Sequence, residues 1–558
     1  MTSTILSTSR NLERKLEEAQ SFNATRRSSQ HLFAMSLRTN MEEDELSYYS
    51  LKTFLSHVKF TTKIADIIAD HGHNVTLLQP YHVAMSAVEG LAKNKNIKII
   101  NYYPSHYEEL QKTAAHTFPV FWDSPMINYP VLSAVMMPRI IGSSFKKTSQ
   151  ELIRDSNLIE ELKNENFDVM LSETFDIAGA YLAHFMNIPC IPFLSAVRFP
   201  IFNEIFDQPS LIGYIPQPGS KLYPDAGFLD RLNDVYRVFL TRIAQNGITE
   251  YQNNFIEEAV GHPVPHWRDL IKESPVYFTN SNPYLDFAVP ATKAIIPVGG
   301  ITINLEKIQN VDALPEEYDA ILNVRESTVL ISFGSVINSY EMPESFKTGI
   351  IKMFHSLPDV TFIWKYEKDD KEFEKRLPQN VYLKKWVPQP SLLADSRLKV
   401  FVTHGGLGST MEIAYSGKPA LMIPIFGDQT HNAAMLARHG GAVTYNKFEL
   451  PNDVKLANAL KEIISNPKYE KNAKILREVL SNPPIDPKIN LLNHLDFAIK
   501  FPNHRGQVSA INQANYIAHY YLDVLLFLLA SAGLFIVLAI KLILRILRRF
   551  TAKTIKRD

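Results

Sequence analysis

The chain reads as an α/β protein of two doubly wound domains facing each other across a cleft, followed by one C-terminal membrane-crossing helix. Three observations predict this. At 558 residues the chain exceeds what one hydrophobic core serves, so two domains are expected. Segments of helical and strand period alternate in two successive series, the pattern of parallel sheets covered by helices. Close to the C-terminus, Val524 to Ile540 (VLLFLLASAGLFIVLAI) is uncharged and proline-free, and a basic tail follows it.

Residues 1–50 carry no apolar run of the secretory type and are expected to be an atypical extension without a recognisable signal peptide. Arg10 to Gln20 reads as a charged helical stretch, and Met41 to Glu45 is acidic. Tyr48 to Lys52 is a poor candidate for a buried strand, so either the first exon is mis-assigned, the favoured explanation, or a first strand ahead of Ser56-His57 is absent or replaced. Asn23 and Asn74 each open a glycosylation triplet, a motif of low specificity.

The first domain is expected over 51–288. Phe60 to His71 has helical spacing and stops at Gly72, with Asn74 to Leu78 as the next strand; His71 and His73 read as structural. Phe167 to Leu171, Ile177 to Met186 and Ile188 to Phe193 continue as strand, helix and strand. Residues 194–270 are less regular, rich in Phe and Pro, and include amphipathic helices such as Asp230 to Gln245. Pro290, Pro297 and Gly299-Gly300 mark a linker at 289–304.

The second domain, 305–484, opens with the strand Thr328 to Phe333, the helix Pro343 to Leu357 and the strand Thr361 to Tyr366. Val381 to Trp386, Leu398 to Thr403 and Ala420 to Pro424 supply three more strands. Residues 485–522 are expected to return to the first domain, 523–544 to span the bilayer, and 545–558 to form a basic tail. With Lys541 snorkelling, the span reaches about 21 residues, roughly 30 Å. Tyr516, Tyr520 and Tyr521 precede it as an aromatic belt would. Arg545, Arg548, Arg549, Lys553, Lys556 and Arg557 follow and place the tail in the cytosol.

Charge and cysteine content exclude several function classes. Lys plus Arg and Asp plus Glu are both 58, so overall charge offers no case for nucleic-acid binding. Cys190 is the only cysteine, which rules out an internal disulfide or a cysteine metal site.

The most informative segment is Trp386-Val387-Pro388-Gln389, then Thr403-His404-Gly405-Gly406, and finally Asp428-Gln429. An indole and an amide suit a base. A strand ending in Gly-Gly and passing into a helix presents backbone N–H groups and the positive helix end to a phosphate. A lone glycine turn is weak evidence, but this order and spacing are specific. The pattern resembles the signature of the UDP-dependent glycosyltransferases, the family that includes the membrane-bound UDP-glucuronosyl- and glucosyltransferases of animals. The resemblance runs from about Ser56 to the tail.

It implies two Rossmann-like domains in the glycosyltransferase B arrangement, with acceptor in the first half and UDP-sugar in the second. By the same resemblance Trp386 stacks on uracil and Gln389 fixes the base edge. Ser335, His404, Gly405, Gly406, Gly408 and Ser409 hold the diphosphate, Glu412 accepts the ribose hydroxyls, and Asp428 and Gln429 read the sugar. His57, at the start of a helix, matches the catalytic base. Imidazoles as a class titrate near working pH and suit that role. An imidazole base gains from a carboxylate on its far nitrogen; the matching position is Glu173, with Asp176 as a rival.

No Asp-x-Asp metal motif is present, so no metal and no cofactor beyond the UDP-sugar co-substrate are expected. The expected reaction is inverting hexosyl transfer, glucose favoured over glucuronate, to a small lipophilic hydroxyl compound. Phe193, Phe199, Phe202 and Phe206 are candidate acceptor lining. The resemblance further implies the endoplasmic reticulum membrane, lumenal catalytic domains, and homo- or hetero-oligomers with related transferases. The competing reading is a silent relative that binds UDP-sugar or partners active enzymes. A dinucleotide dehydrogenase is excluded, because the glycine turn falls late in its domain and lacks a ribose-reading acid about twenty residues on.

Overall fold

The computed structural model describes residues 45–49, 55–82, 91–109, 120–124, 130–208, 212–215, 226–309, 314–504, 516–519 and 521–554. The expectations for Arg10 to Gln20, Asn23 and most of the 1–50 extension therefore lie outside the described residues.

The first sheet comprises β1 (Glu45–Tyr49), β2 (Asn74–Pro80), β3 (Lys98–Tyr102), β4 (Val169–Glu173), β5 (Cys190–Leu194), β6 (Tyr277–Thr279) and β7 (Ile295–Pro297). Its seven strands run in the order β3-β2-β1-β4-β5-β6-β7, with every pairing parallel. The second sheet comprises β8 (Ser327–Ser332), β9 (Val360–Lys365), β10 (Val381–Lys384), β11 (Leu398–Thr403), β12 (Ala420–Met422) and β13 (Ala442–Thr444). Its order, β10-β9-β8-β11-β12-β13, repeats the same winding. The direction in which the chain adds strands reverses between β1 and β4 in one sheet and between β8 and β11 in the other. Ligands in such sheets bind outside the carboxyl ends of those strands.

The expectation of a missing first strand is corrected. Glu45–Tyr49 forms β1 in the interior of its sheet, Leu46 opposite Val75 on one side and Val169 on the other. Leu46 and Ser47 are fully buried. The expectation rests on Tyr48 to Lys52, whereas β1 runs from Glu45 to Tyr49, where strand formation is set by the two neighbours it pairs with. The first domain thus begins by residue 45, ahead of the expected boundary at 51.

The helices that matter below are α1 (Leu55–Asp70), α2 (Pro130–Arg154), α3 (Ala178–Met186), α4 (Phe228–Val260), α5 (Leu407–Ser416), α6 (Gln429–Ala437), α7 (Pro487–Lys500) and α8 (Leu522–Thr554). Both faces of each sheet are covered, because successive strand side chains point to opposite sides. Leu78 and Met170 enter one core with Phe145, Tyr181 and Phe255. Leu77 and Leu171 enter the other with Ile64 and Ile68 of α1.

That second core also receives Leu491, Leu495 and Ala498 of α7, and Asn490 Nδ2 donates to the Pro297 carbonyl at 3.1 Å. The chain, having built the second domain, is thus packed against the first before it reaches α8. Leu495 is fully buried. Leu495→Ala is expected to cost ~2–5 kcal/mol of stability, read as a lower unfolding midpoint of the solubilised protein.

In the other direction, Phe121 and Trp122 are embedded in the core of the second sheet. Trp122 Nε1 donates to the Asn338 carbonyl at 3.1 Å. Lys447 Nζ donates to the carbonyls of Phe121, Ser124 and Ile425 at 2.6, 3.0 and 3.1 Å.

Within α8, Leu522–Ile546 is a 25-residue stretch containing an 18-residue window of mean hydropathy 2.6 that is not buried among the described residues. At 1.5 Å per residue it is about 37 Å long, enough for a hydrocarbon layer of about 30 Å.

Candidate active site

His57 is the third residue of α1, the helix that follows β1, and Glu173 is the last residue of β4. The reversal point between β1 and β4 therefore brings them together. His57 Nδ1 lies 3.5 Å from Glu173 Oε2. Glu173 is fully buried and held from behind: its Oε1 accepts the Ser195 N–H at 3.1 Å, and its Oε2 accepts the Ser195 hydroxyl. Sequence reasoning did not single out Ser195. Its one signal was its place just past the end of a predicted strand.

Asp176, the rival carboxylate, is engaged elsewhere. Its Oδ2 is 3.0 Å from His82 Nε2, both side chains being fully buried, and its Oδ1 accepts the Ala178 N–H at 3.0 Å at the start of α3. Gln252 of α4 braces the same turn, accepting from Ile177 N at 3.0 Å and donating to Phe175 O at 3.1 Å. The turn so fixed presents Phe175, whose ring lies 5.4 Å from that of His57 and 6.0 Å from that of Phe199.

The expected acceptor lining needs correction at three positions. Phe193, Phe202 and Phe206 are fully buried core residues. Phe202 packs on Trp267 and Phe206 stacks on Tyr277. Of the four phenylalanines, only Phe199 is partly exposed. Phe175, which was not anticipated, is the aromatic ring against His57.

In the second domain, Ser335 follows β8 and His404 follows β11, the pair flanking the reversal point. Glycine is required here for space. A Cβ on Gly334 would lie 2.6 Å from His404 Cε1, and one on Gly406 would lie 2.6 Å from His404 Nε2. The imidazole is thus seated between two backbone surfaces that only glycine leaves open. Gly334 and Gly405 also have φ of +91° and +84°, which side chains resist. Gly408 and Ser409 lie in the first turn of α5, and Gly408 faces open space.

Enclosure and the nearby Lys365 ammonium push the His404 pKa from 6.5 down to about 4. The folded chain therefore holds this imidazole neutral, whereas the unfolded chain protonates it up to about 6.5. Between those values the unfolded state binds more protons, so this residue's contribution to stability is lost as pH falls from about 6.5 to about 4. His404→Gln is expected to flatten that part of the melting temperature against pH.

Trp386 is 60% exposed, unusual for an indole and suited to a stacking platform. Gln389 Nε2 donates to Ser409 Oγ at 3.2 Å and to Glu412 Oε2. Burial raises the Glu412 pKa, offset in part by that hydrogen bond and by the charge of Lys59 on α1. Base-side, ribose-side and phosphate-side candidates are therefore directly linked.

Lys365, the last residue of β9, was missed by the sequence reading. It is buried, donates to the Gly334 carbonyl, and sits 3.3 Å from Glu367 and 5.3 Å from the centroid of Trp386. Its position at the carboxyl end of a predicted strand was the available signal.

Asp428 and Gln429 stand at the start of α6. Asp428 is exposed and accepts from Asn432 Nδ2 at 2.9 Å. Gln429 is buried, and its Oε1 accepts the N–H groups of Ile425 and Phe426 at 2.8 and 3.0 Å. The amide oxygen thus fixes the turn, and the NH₂ is what this side chain can offer a hydroxyl.

The chain is similar to known proteins in sequence and in fold. Residues 49–557 match the family described as UDP-glucoronosyl and UDP-glucosyl transferase. The putative UDP-glucuronosyltransferase ugt-55 of Caenorhabditis elegans is 28% identical over 428 residues, 76% of this chain and 80% of that one. UDP-glucuronosyltransferase 3A2 of Homo sapiens is 27% identical over 479 residues, 85% and 88% of the two chains.

Among solved structures, Os79 from O. sativa in complex with U2F and trichothecene superposes with a TM-score of 0.54 at 15% identity. That superposition covers 82% of this chain and 100% of the other. Phytolacca americana UGT2 complexed with UDP-2fluoro-glucose and pterostilbene gives 0.51 at 16% identity, with 82% and 100% covered. These likenesses establish the glycosyltransferase B fold. With the family match spanning nearly the whole chain, the protein belongs to the UDP-glucoronosyl and UDP-glucosyl transferase family and is a UDP-sugar-dependent glycosyltransferase.

Proposed function

We propose that the enzyme transfers a hexose, glucose in preference to glucuronate, from its UDP-sugar to a hydroxyl of a small lipophilic acceptor, with inversion and without a metal. The observation that carries this reading is the contact of His57 Nδ1 with the buried Glu173 carboxylate, 3.5 Å apart. Glu173 keeps the proton of the neutral imidazole on Nδ1 and leaves Nε2 as the base. The acceptor O–H gives its proton to Nε2 as its oxygen bonds to the anomeric carbon. The bond from that carbon to the diphosphate oxygen breaks, and UDP departs with the electron pair. Attack from the face opposite UDP turns an α-linked donor into a β-glycoside.

On the donor side, Trp386 and Gln389 take the uracil, Glu412 the ribose, and Asp428 with the Gln429 NH₂ the sugar hydroxyls. Ser335, neutral His404, the N–H groups at Gly405, Gly406 and Gly408, and Ser409 stabilise the charge that develops on the leaving diphosphate. Lys365, a buried cation beside the Gly334 carbonyl, supports the same charge. The preference for glucose rests on the lack of a motif that singles out a cation for a glucuronate carboxylate. Acceptor lipophilicity rests on Phe175 and Phe199 beside His57.

The exposed apolar stretch Leu522–Ile546 and the basic residues at its C-terminal end, Arg545, Arg548, Arg549 and Lys553, support anchorage in the endoplasmic reticulum membrane with lumenal catalytic domains. Association with related transferases is the expected partnership.

UDP release by the membrane-bound enzyme, with UDP-glucose or UDP-glucuronate and a panel of phenols, tests the reading. Acceptor-dependent turnover with UDP-glucose is expected. Turnover with UDP-glucuronate alone overturns the donor preference, and UDP binding without turnover favours a silent relative. Trp386→Ala is expected to raise the UDP Kd roughly 5- to 150-fold, the equivalent of ~1–3 kcal/mol of lost base stacking, as measured by calorimetry.

A further inference from the structure

The turn between α1 and β2 brings together three side chains that the transfer reaction does not use. Gly72 adopts φ of +107°, and the backbone around it is fixed by hydrogen bonds from His71 N and His73 N to the Ile68 carbonyl at 3.1 and 3.4 Å. His71 and His73 leave this turn toward the same carboxylate, Asp496 on α7. His71 Nε2 is 3.7 Å from Asp496 Oδ2, and His73 Nε2 is 3.6 Å from Asp496 Oδ1. One ligand atom from each of the three residues falls within 4.8 Å of the others. The two rings are 5.5 Å apart and inclined at 48°.

We propose that His71, His73 and Asp496 form a Zn²⁺ site that clamps α7 to the beginning of the first domain. Two imidazoles and one carboxylate are a donor set that zinc accepts with a fourth position left to water. Around a tetrahedral zinc, neighbouring ligand atoms stand about 3.4 Å apart; each imidazole lies near that distance from one carboxylate oxygen, His71 from Oδ2 and His73 from Oδ1, and a small rotation of Asp496 brings a single oxygen between them. The further approach needed falls to His71, whose side chain is 35% exposed at the turn. Two nitrogen donors favour zinc over magnesium or calcium, which take oxygen.

The ligands sit on prepared backbone: the turn is hydrogen-bonded, and α7 is anchored by buried Leu491 and Leu495. The site is also remote from the chemistry. His57 and His71 lie at opposite ends of α1, about 20 Å apart at 1.5 Å per residue. Zinc here fastens the helix that leads toward α8 onto the first sheet. It departs from the expectation of a chain without metal ligands while leaving metal-independent transfer intact.

The test uses the full chain, without a histidine tag, solubilised in detergent and stripped with a chelator. Zn²⁺ titration by calorimetry is expected to give one site per chain, with a rise in melting temperature on binding. His71→Ala and Asp496→Asn are expected to weaken binding by more than the roughly 10- to 100-fold that losing an outer-shell partner costs. Both should keep wild-type turnover below the melting transition, which shows that they fold. Co²⁺ in place of zinc should give visible absorption that His71→Ala abolishes. Equal zinc affinity in wild type and both variants, or no saturable site in the wild type, overturns the proposal, and neither result bears on sugar transfer.

Discussion

His57→Ala is expected to lower kcat by roughly 10²- to 10⁴-fold, the range a positioned general base contributes. The UDP Kd should stay within about twofold of wild type. His57 belongs to the first sheet's reversal point and touches Glu173 and Phe175, whereas the donor candidates belong to the second. Removing it takes away the proposed proton acceptor and leaves the proposed stacking platform and phosphate turn untouched. Single-turnover kinetics beside UDP calorimetry separates the two effects, and a parallel loss of UDP binding would mean that His57 acts through the cleft and not as a base.

Glu173→Gln is expected to cost on the order of 10³- to 10⁴-fold in kcat, because an amide can present N–H to His57 Nδ1 and so hold the wrong tautomer. The substitution nearly preserves volume, and the Ser195 N–H can still be accepted by the amide oxygen in place of Oε1. Folding should therefore survive, as a melting temperature near wild type would show. Glu173→Asp retains charge but shortens the reach across a gap that is already 3.5 Å, so it should fall between Gln and wild type. Asp176→Asn gives a contrast. Its carboxylate faces His82 at 3.0 Å in a fully buried pair, so its loss should appear mainly as lower stability.

The grouping of the proposed donor residues was legible in the sequence because they are clustered. Trp386, Gln389, His404 and Glu412 fall on successive elements of one αβ series, and the glycine spacing around His404 reflects a local steric need. The apolar run in α8 was readable from pattern because it is a continuous segment of one composition.

What escaped was set by partners distant in sequence. β1 is a strand because β2 and β4 lie on either side of it, and nothing in Glu-Leu-Ser-Tyr-Tyr announces this. Ser195 and Lys365 acquire meaning only when their strand ends meet Glu173 and Gly334. Phe193, Phe202 and Phe206 share their composition with a lipophilic pocket but are core, and residue type alone does not separate the two.

The configuration of the product tests the central claim most directly. With an α-linked UDP-hexose and an accepted phenol, proton NMR of the purified glycoside is predicted to show the large coupling of a β-anomeric proton from the first turnovers onward. A small coupling, meaning an α-glycoside, would contradict a single displacement driven by His57 and would require either a covalent intermediate or attack from the face that UDP leaves.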